Sequence, residues 1–235
     1  MSSSGDASAG PITVDPVLTE QIRLRAEAIA ARVRDCTDRE VRTVCVTKAH
    51  PVEVAAAALA AGFLDLGENY AQELVAKAAA LGGGAAAPGG AGPPRWHFIG
   101  RLQSNKVRSL APVVSLWHTV DRDSLATEIA RRAPGARVLV QLDLAGVAGR
   151  GGIAPTDAPA LVESCRERGL IVEGLMGVGV PGPAELSRPG FRLLNSMAED
   201  LGLRERSMGM SGDLEVAVAE GATIIRVGSA LVGPR

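Results

Sequence analysis

Thr43-Val44-Cys45-Val46-Thr47-Lys48-Ala49-His50-Pro51 is the stretch that decides how this chain folds. Four of its first five residues are β-branched and the fifth is a cysteine, which reads as a short interior strand. An alanine-rich helical stretch follows. Pro51 suits its first position, and Gly62 suits the left-handed position after its last turn. Lys48 therefore stands where a buried strand hands over to a helix, the edge at which α/β folds bind ligands. Two readings of it are open. A lysine amine held against low-dielectric walls is pushed toward its neutral form and can attack an aldehyde to give a Schiff base. Alternatively, Lys48 simply snorkels out of the strand end into water.

The same strand-then-helix rhythm recurs along the chain. Strands are expected at 63–66, 96–100, 113–120, 137–144, 170–176, 206–210 and 223–227, with helical patterns after the first six at 70–81, 103–110, 122–133, 157–168, 191–201 and 213–220. Asn69 and Gln72 have the spacing of a capping box for the helix that follows them. Eight units in 235 residues predict an α/β fold, a single (β/α)8 TIM-type barrel, with an open doubly wound sheet as the alternative. Ahead of the first strand, Leu18, Ile22, Ile29 and Val33 recur at helical spacing. This extra N-terminal helix is expected to fill the place in the outer ring that the short last unit leaves empty. Residues 1–14, small and polar, are expected to be a disordered tail, leaving 15–235 as one barrel domain. Gly82 to Pro94, all Gly, Ala and Pro, reads as a flexible surface insertion.

Composition narrows the class. A formal net charge of −1 gives no electrostatic reason to bind nucleic acid or an anionic membrane. No apolar run approaches the length of a membrane span, and Met1 to Gly10 lacks a signal pattern. Cys36, Cys45 and Cys165 are far apart and odd in number, which fits neither a disulfide framework nor a metal site. A reducing cytoplasm is the expected location.

Nine residues fall at the predicted strand ends: Lys48, Asn69, His97, His118, Ser207, Gly209, Arg226, Gly228 and Ser229. Taken singly each has a plain structural role available: Asn69 as a helix cap, the histidines as packed neutral rings, Ser207 as a turn residue. Two stretches say more. Ser207-Met208-Gly209-Met210-Ser211-Gly212-Asp213 and Arg226-Val227-Gly228-Ser229 follow the seventh and eighth strands, where barrels often cradle phosphate with backbone N–H groups. A Schiff-base lysine on the first strand facing such a cradle suits an aldehyde that carries a phosphate, and pyridoxal 5'-phosphate fits that description.

Together these stretches resemble the pyridoxal phosphate homeostasis family of small single-domain barrel proteins. The resemblance also rests on Leu66-Gly67-Glu68-Asn69-Tyr70-Ala71-Gln72-Glu73, Trp96-His97-Phe98-Ile99-Gly100-Arg101-Leu102-Gln103-Ser104-Asn105-Lys106, His118-Thr119-Val120-Asp121 and Gly174-Leu175-Met176. It covers the chain from about Val41 to the C-terminus. It implies the barrel of alanine racemase without that enzyme's β-rich domain. It also implies that Lys48 carries the cofactor as an internal aldimine, that Ser207, Gly209, Gly228 and Ser229 hold its phosphate, and that Asn69 lies beside the ring. Arg226 matches the position facing the pyridine nitrogen. Arginine has no acceptor lone pair and stays protonated, so it leaves that nitrogen unprotonated and the ring a weaker electron sink. The sequence departs from the family at Lys48-Ala49-His50-Pro51, where a hydroxyl-rich motif with a second lysine is usual. After the fifth strand, Asp143, Val147 and Arg150 stand where Asn, Glu and Lys are usual, and Arg150 cannot form a second Schiff base.

The expected function is a non-catalytic binder that keeps free pyridoxal phosphate low and delivers it, as a monomer, to apo-enzymes that depend on it. An alanine-racemase-like enzyme is the alternative. It needs an acid/base group on each face of the substrate carbon, and the only tyrosine here is Tyr70. A barrel for another phosphorylated metabolite, with Lys48 as a charge partner, is the third reading.

Overall fold

The computed structural model describes residues 12–82, 92–146 and 151–234. Eight strands close into a parallel barrel in chain order, with the last pairing back onto the first. They are β1 (Arg42–Val46), β2 (Asp65–Glu68), β3 (Arg95–Phe98), β4 (Val114–Val120), β5 (Arg137–Leu142), β6 (Ile171–Gly177), β7 (Glu205–Ser207) and β8 (Ile224–Val227). The helices are α1 (Pro16–Arg34), α2 (Val52–Ala60), α3 (Ala71–Ala80), α4 (Val107–Leu110), α5 (Asp123–Arg132), α6 (Ala158–Glu167), α7 (Arg188–Asp200), α8 (Leu214–Ala219) and α9 (Ser229–Val232). The barrel is therefore the expected architecture rather than the open sheet.

Strand alternation sorts side chains to two sides of the sheet. Cys45, Leu66, Phe98, Trp117, Val138, Val140 and Ile225 point outward into the layer shared with the helices. Val44, Leu116, Leu139, Met176 and Ile224 form a small separate cluster inside the barrel. With so few aromatics, the outer layer is dense because its side chains are short: Ala55, Ala56, Ala57 and Ala58 of α2 are all fully buried, which lets that helix lie close to the sheet. Inside, Gly67 has no room for a side chain, since a Cβ there would lie 2.9 Å from Val44 Cγ1.

The N-terminal helix closes the ring as expected. α1 packs against α2 on one side and α8 and α9 on the other. Asp15 caps it, accepting from the backbone N–H of Val17 at 2.8 Å and Leu18 at 3.2 Å, an arrangement worth about 1 kcal/mol. No helix among the described residues is long and apolar enough to cross a membrane. Residues 1–11 of the tail and 83–91 of the Gly/Ala/Pro insertion lie outside the described residues.

Several boundaries differ from expectation. Pro51 is the cap residue of α2 rather than its first turn. β7 stops at Ser207 instead of Met210, because Gly209 adopts φ +93° and turns the chain out of the extended region. The third helical stretch is a 3-10 turn over Ser104–Lys106 running into a single turn of α4. The Asn69–Gln72 capping box does not form. Tyr70 occupies the cap position of α3 without a side-chain bond, and the Asn69 side chain is directed elsewhere.

Candidate functional site

Lys48 follows β1 by two residues, and its backbone is fixed from both sides. Ahead of it, Thr47 N–H donates to the Gly67 carbonyl at 3.1 Å and Thr47 Oγ1–H to Glu68 Oε1 at 2.6 Å. The buried Lys77 ammonium donates to the Thr47 carbonyl at 2.7 Å and to Glu68 Oε1 at 2.6 Å. Behind it, Ala49 sits in the left-handed region at φ +58°, a conformation that costs a non-glycine residue about 1 kcal/mol. Glu73 Oε2 holds it there by accepting from Ala49 N–H at 2.8 Å. Burial raises the Glu68 carboxyl above its usual range, against the opposing pull of its bonds from Lys77 and Thr47.

The half-buried Lys48 side chain lines a cleft of about 660 Å³ at the C-terminal mouth of the barrel. That size is ordinary for a small-molecule site. The cleft brings Lys48 together with Asn69, Arg226, Gly228 and Ser229. Gly228 and Ser229 open α9, whose first N–H groups have no intrahelical acceptor. A Cβ at Gly228 would approach nothing closer than 3.5 Å and one at Gly212 nothing within 4 Å, so both glycines leave open room at this wall. Asn69 Oδ1 is buried with no hydrogen-bond partner. A buried acceptor oxygen without a partner, beside a glycine-lined wall and an amine, makes a set of groups that fits pyridoxal phosphate.

Ser207 and Gly209 are not among the residues that line the cleft. Gly209 is required by the backbone: besides its φ, a Cβ would sit 2.7 Å from Ala217 Cβ. The Ser207 hydroxyl points into the barrel, where Arg226 Nη1 donates to it at 2.6 Å. Arg226 Nη2 donates to the Gly177 carbonyl at 2.8 Å. Burial lowers the Arg226 guanidinium to about 10, partly offset by the charge of Asp213, so it is protonated at neutral pH.

His97 and His118 are not at the mouth, contrary to the expectation for both. They occupy the middle of β3 and β4 and point into the barrel, 2% and 0% exposed. His118 Nδ1 lies 2.9 Å from Ser207 Oγ, His118 Nε2 lies 2.8 Å from His97 Nδ1, and His97 Nε2 lies 2.9 Å from Asp65 Oδ1. Arg95 grips Asp65 with two bonds, at 2.8 and 2.6 Å. Burial lowers both imidazoles, His118 well below its usual value, with the Asp65 charge opposing the effect at His97. Burial would raise the Asp65 carboxyl, but the bonds from Arg95 and His97 outweigh it and hold it below the usual range.

Sequence reasoning missed His50, Arg101, Gln141 and Met176 as cleft residues, whereas Ser211 belongs to the stretch expected to cradle phosphate. Gln141 carried a signal, being the polar residue in the otherwise apolar run Val138–Leu142. In the departing loop, Asp143 Oδ1 accepts from Ala145 N–H at 3.1 Å and Gly146 N–H at 2.8 Å, while Val147 and Arg150 lie outside the described residues.

Comparison with known proteins agrees with this geometry. The family described as alanine racemase, N-terminal domain, matches residues 22–235. A pyridoxal phosphate homeostasis protein of Pseudomonas aeruginosa is 38% identical over 221 residues, covering 88% of this chain and 93% of its own. The structure of PipY from Synechococcus elongatus PCC7942 with PLP bound has a TM-score of 0.77 at 32% identity, covering 90% of this chain and all of that one. Alanine racemase from Clostridium difficile 630 shares the fold alone, with a TM-score of 0.69 at 14% identity, covering 90% of this chain and 56% of that one. The chain belongs to the pyridoxal phosphate homeostasis protein family, built on the alanine racemase N-terminal domain.

Proposed function

We propose that this protein binds pyridoxal 5'-phosphate as a Schiff base on Lys48, acts in its intracellular homeostasis and delivery, and has no robust catalysis of its own. The observation that carries this is the placement of Lys48 in one cleft with Gly228, Ser229 and Arg226. When bound, the cofactor supplies an electrophilic aldehyde and an electron-withdrawing ring. Lys48 would supply the amine that holds the aldehyde carbon, with release of water. The N–H groups around Gly228 and Ser229 take the phosphate, with the turn at Gly209 shaping the neighbouring wall. Asn69 offers its free side-chain oxygen beside the ring. Ser207 serves from behind, through Arg226. The proposed recipients are apo-enzymes that use the same cofactor, with this chain acting as a cytoplasmic monomer.

The non-catalytic reading is supported by what stands around the cleft. Tyr70 is 56% exposed and lies outside the cleft lining. His97 and His118 are engaged inside the barrel, which leaves His50 as the histidine that reaches the cleft. Among the described cleft residues, His50 is the imidazole a racemase could use as its second acid/base group. Incubating the loaded protein with single-enantiomer amino acids in deuterated water decides the matter: turnover with deuterium gained at Cα would overturn the carrier reading. Cofactor binding itself is tested by the visible absorbance before and after borohydride, with peptide mapping of the modified residue.

A further inference from the structure

The barrel interior of most (β/α)8 proteins is filled with branched apolar side chains. Here a file of polar groups crosses it beside the small apolar cluster, from Asp65 and Arg95 at the N-terminal mouth to Arg226 at the cleft. The donors and acceptors along this file can be assigned from chemistry. The Asp65 carboxylate only accepts, and Arg95 already donates to it twice. His97 must therefore present Nε2–H to Asp65, which makes its Nδ1 an acceptor when the ring is neutral. That acceptor faces His118 Nε2, which must carry the proton. His118 Nδ1 is then an acceptor for the Ser207 hydroxyl, and the serine oxygen is left with lone pairs for Arg226 Nη1–H. Every bond points the same way, and none competes with another.

We infer that Asp65, His97, His118 and Ser207 are positioning residues for the cofactor, a one-way hydrogen-bond relay that seats Arg226 on a neutral acceptor and leaves its charge turned toward the cleft. A carboxylate beside Arg226 would neutralise that charge. Among the described residues no carboxylate bonds to it, Asp213 acting on it through charge alone; its bonding partners are a hydroxyl and a carbonyl. A protonated His118 would break the arrangement by turning an N–H toward Ser207 and placing a second cation near the guanidinium. The inference rests on the cleft being the cofactor site, and the test separates the two.

The full chain, with its three histidines isotope-labelled, is examined by imidazole NMR with and without pyridoxal phosphate at about pH 7.5, above the ordinary histidine range. His97 and His118 should both be neutral and protonated at Nε2; a cationic or Nδ1-protonated ring at either position overturns the relay. In Asp65→Asn, Arg95 holds the amide oxygen and the NH₂ group turns to His97. Both ring protons should then move to Nδ1, and cofactor affinity should fall about ten-fold, the scale of one bond to a charged group. Borohydride should still fix the cofactor on Lys48. Either quantity unchanged overturns the proposal. Should Asp65→Asn fail to fold, Ser207→Ala cuts the relay at its other end. It should give the same loss of affinity and shift the pH midpoint of the bound cofactor's visible absorbance, which a lost packing contact alone would not move; both unchanged overturns the relay. Wild-type protein that takes up no cofactor defeats the cofactor reading, while the ring tautomers still judge the relay.

Discussion

Lys77 Nζ lies 2.7 Å from the carbonyl oxygen of Thr47, so a buried ammonium on α3 pins the backbone next to Lys48. The same ammonium neutralises Glu68, which is fully buried and leaves Oε2 without a partner. Removing one member of such a pair strands the other charge in the interior, at a cost of about 3–5 kcal/mol. Lys77→Met should therefore lower stability by about that amount, measured by urea unfolding. It should also slow cofactor loading, because the Thr47 carbonyl loses its anchor. Pairing it with Glu68→Leu should recover part of the stability but not the loading rate. Equal recovery of both would show that Lys77 acts on folding only.

Lys48→Ala should remove the borohydride-reducible adduct while leaving weak phosphate-anchored uptake of pyridoxal phosphate. The phosphate wall proposed at Gly228 and Ser229 is separate from the amine in sequence, so removing the amine leaves it in place. Mass spectrometry of the reduced protein checks this. A reducible adduct at unchanged stoichiometry would show that another amine holds the aldehyde.

The barrel was legible because its strands are β-branched and its helices alanine-rich, so local propensity and global topology agree from Thr43 to Val227. Lys48, Asn69, Arg226, Gly228 and Ser229 were legible as cleft residues because each lies within two residues of a strand's C-terminal end. Ser207 was legible as a position but not as a direction. One residue along a strand reverses the face, and β7 is only three residues long, too short to show its alternation. His97 and His118 were placed at the mouth although His97 is the second residue of its predicted strand and His118 stands two short of the end of its own. Their true partners, Asp65 and Ser207, are 32 and 89 residues away in sequence, and only barrel closure brings them together. Asn69 read as a helix cap because side-chain spacing cannot reveal that a strand-end loop holds it elsewhere.

Gly209 and Gly212 look alike in the sequence but should respond differently to alanine. Gly209 has φ +93° and would place a Cβ 2.7 Å from Ala217 Cβ, whereas Gly212 has open space. Gly209→Ala should cost about 2–3 kcal/mol, combining left-handed strain with overpacking. Gly212→Ala should change stability by less than about 0.5 kcal/mol. Thermal melts of the two variants side by side check the contrast, and equal melting temperatures would contradict the assigned backbone at Gly209.

The buried histidines also set a pH dependence whose sign can be worked out. His97 and His118 both have folded values below the ordinary one, chiefly through burial. Below about pH 6.5 the unfolded chain takes up protons at these positions that the folded barrel refuses. Their contribution is complete above that pH and is lost as pH falls toward the folded values, with a slope of up to about 1.4 kcal/mol per pH unit for each ring. Glu68 acts in the opposite sense. Its raised carboxyl keeps a proton in the folded state that the unfolded chain releases from about pH 4.5 upward, so its contribution shrinks as pH rises through the folded value. Two rings against one carboxyl leave a net fall in unfolding free energy on acidification from about pH 7 to about pH 5.5, ahead of the Asp65 carboxylate, whose lowered value protects it to more acidic pH. Denaturant midpoints across that range should fall in the wild type and fall less steeply in His118→Gln, which has lost one of the two titrating rings. A midpoint in the wild type that holds level or rises on acidification would mean that the rings are already protonated inside the barrel, and the neutral file of donors from Arg226 to Asp65 could not then exist.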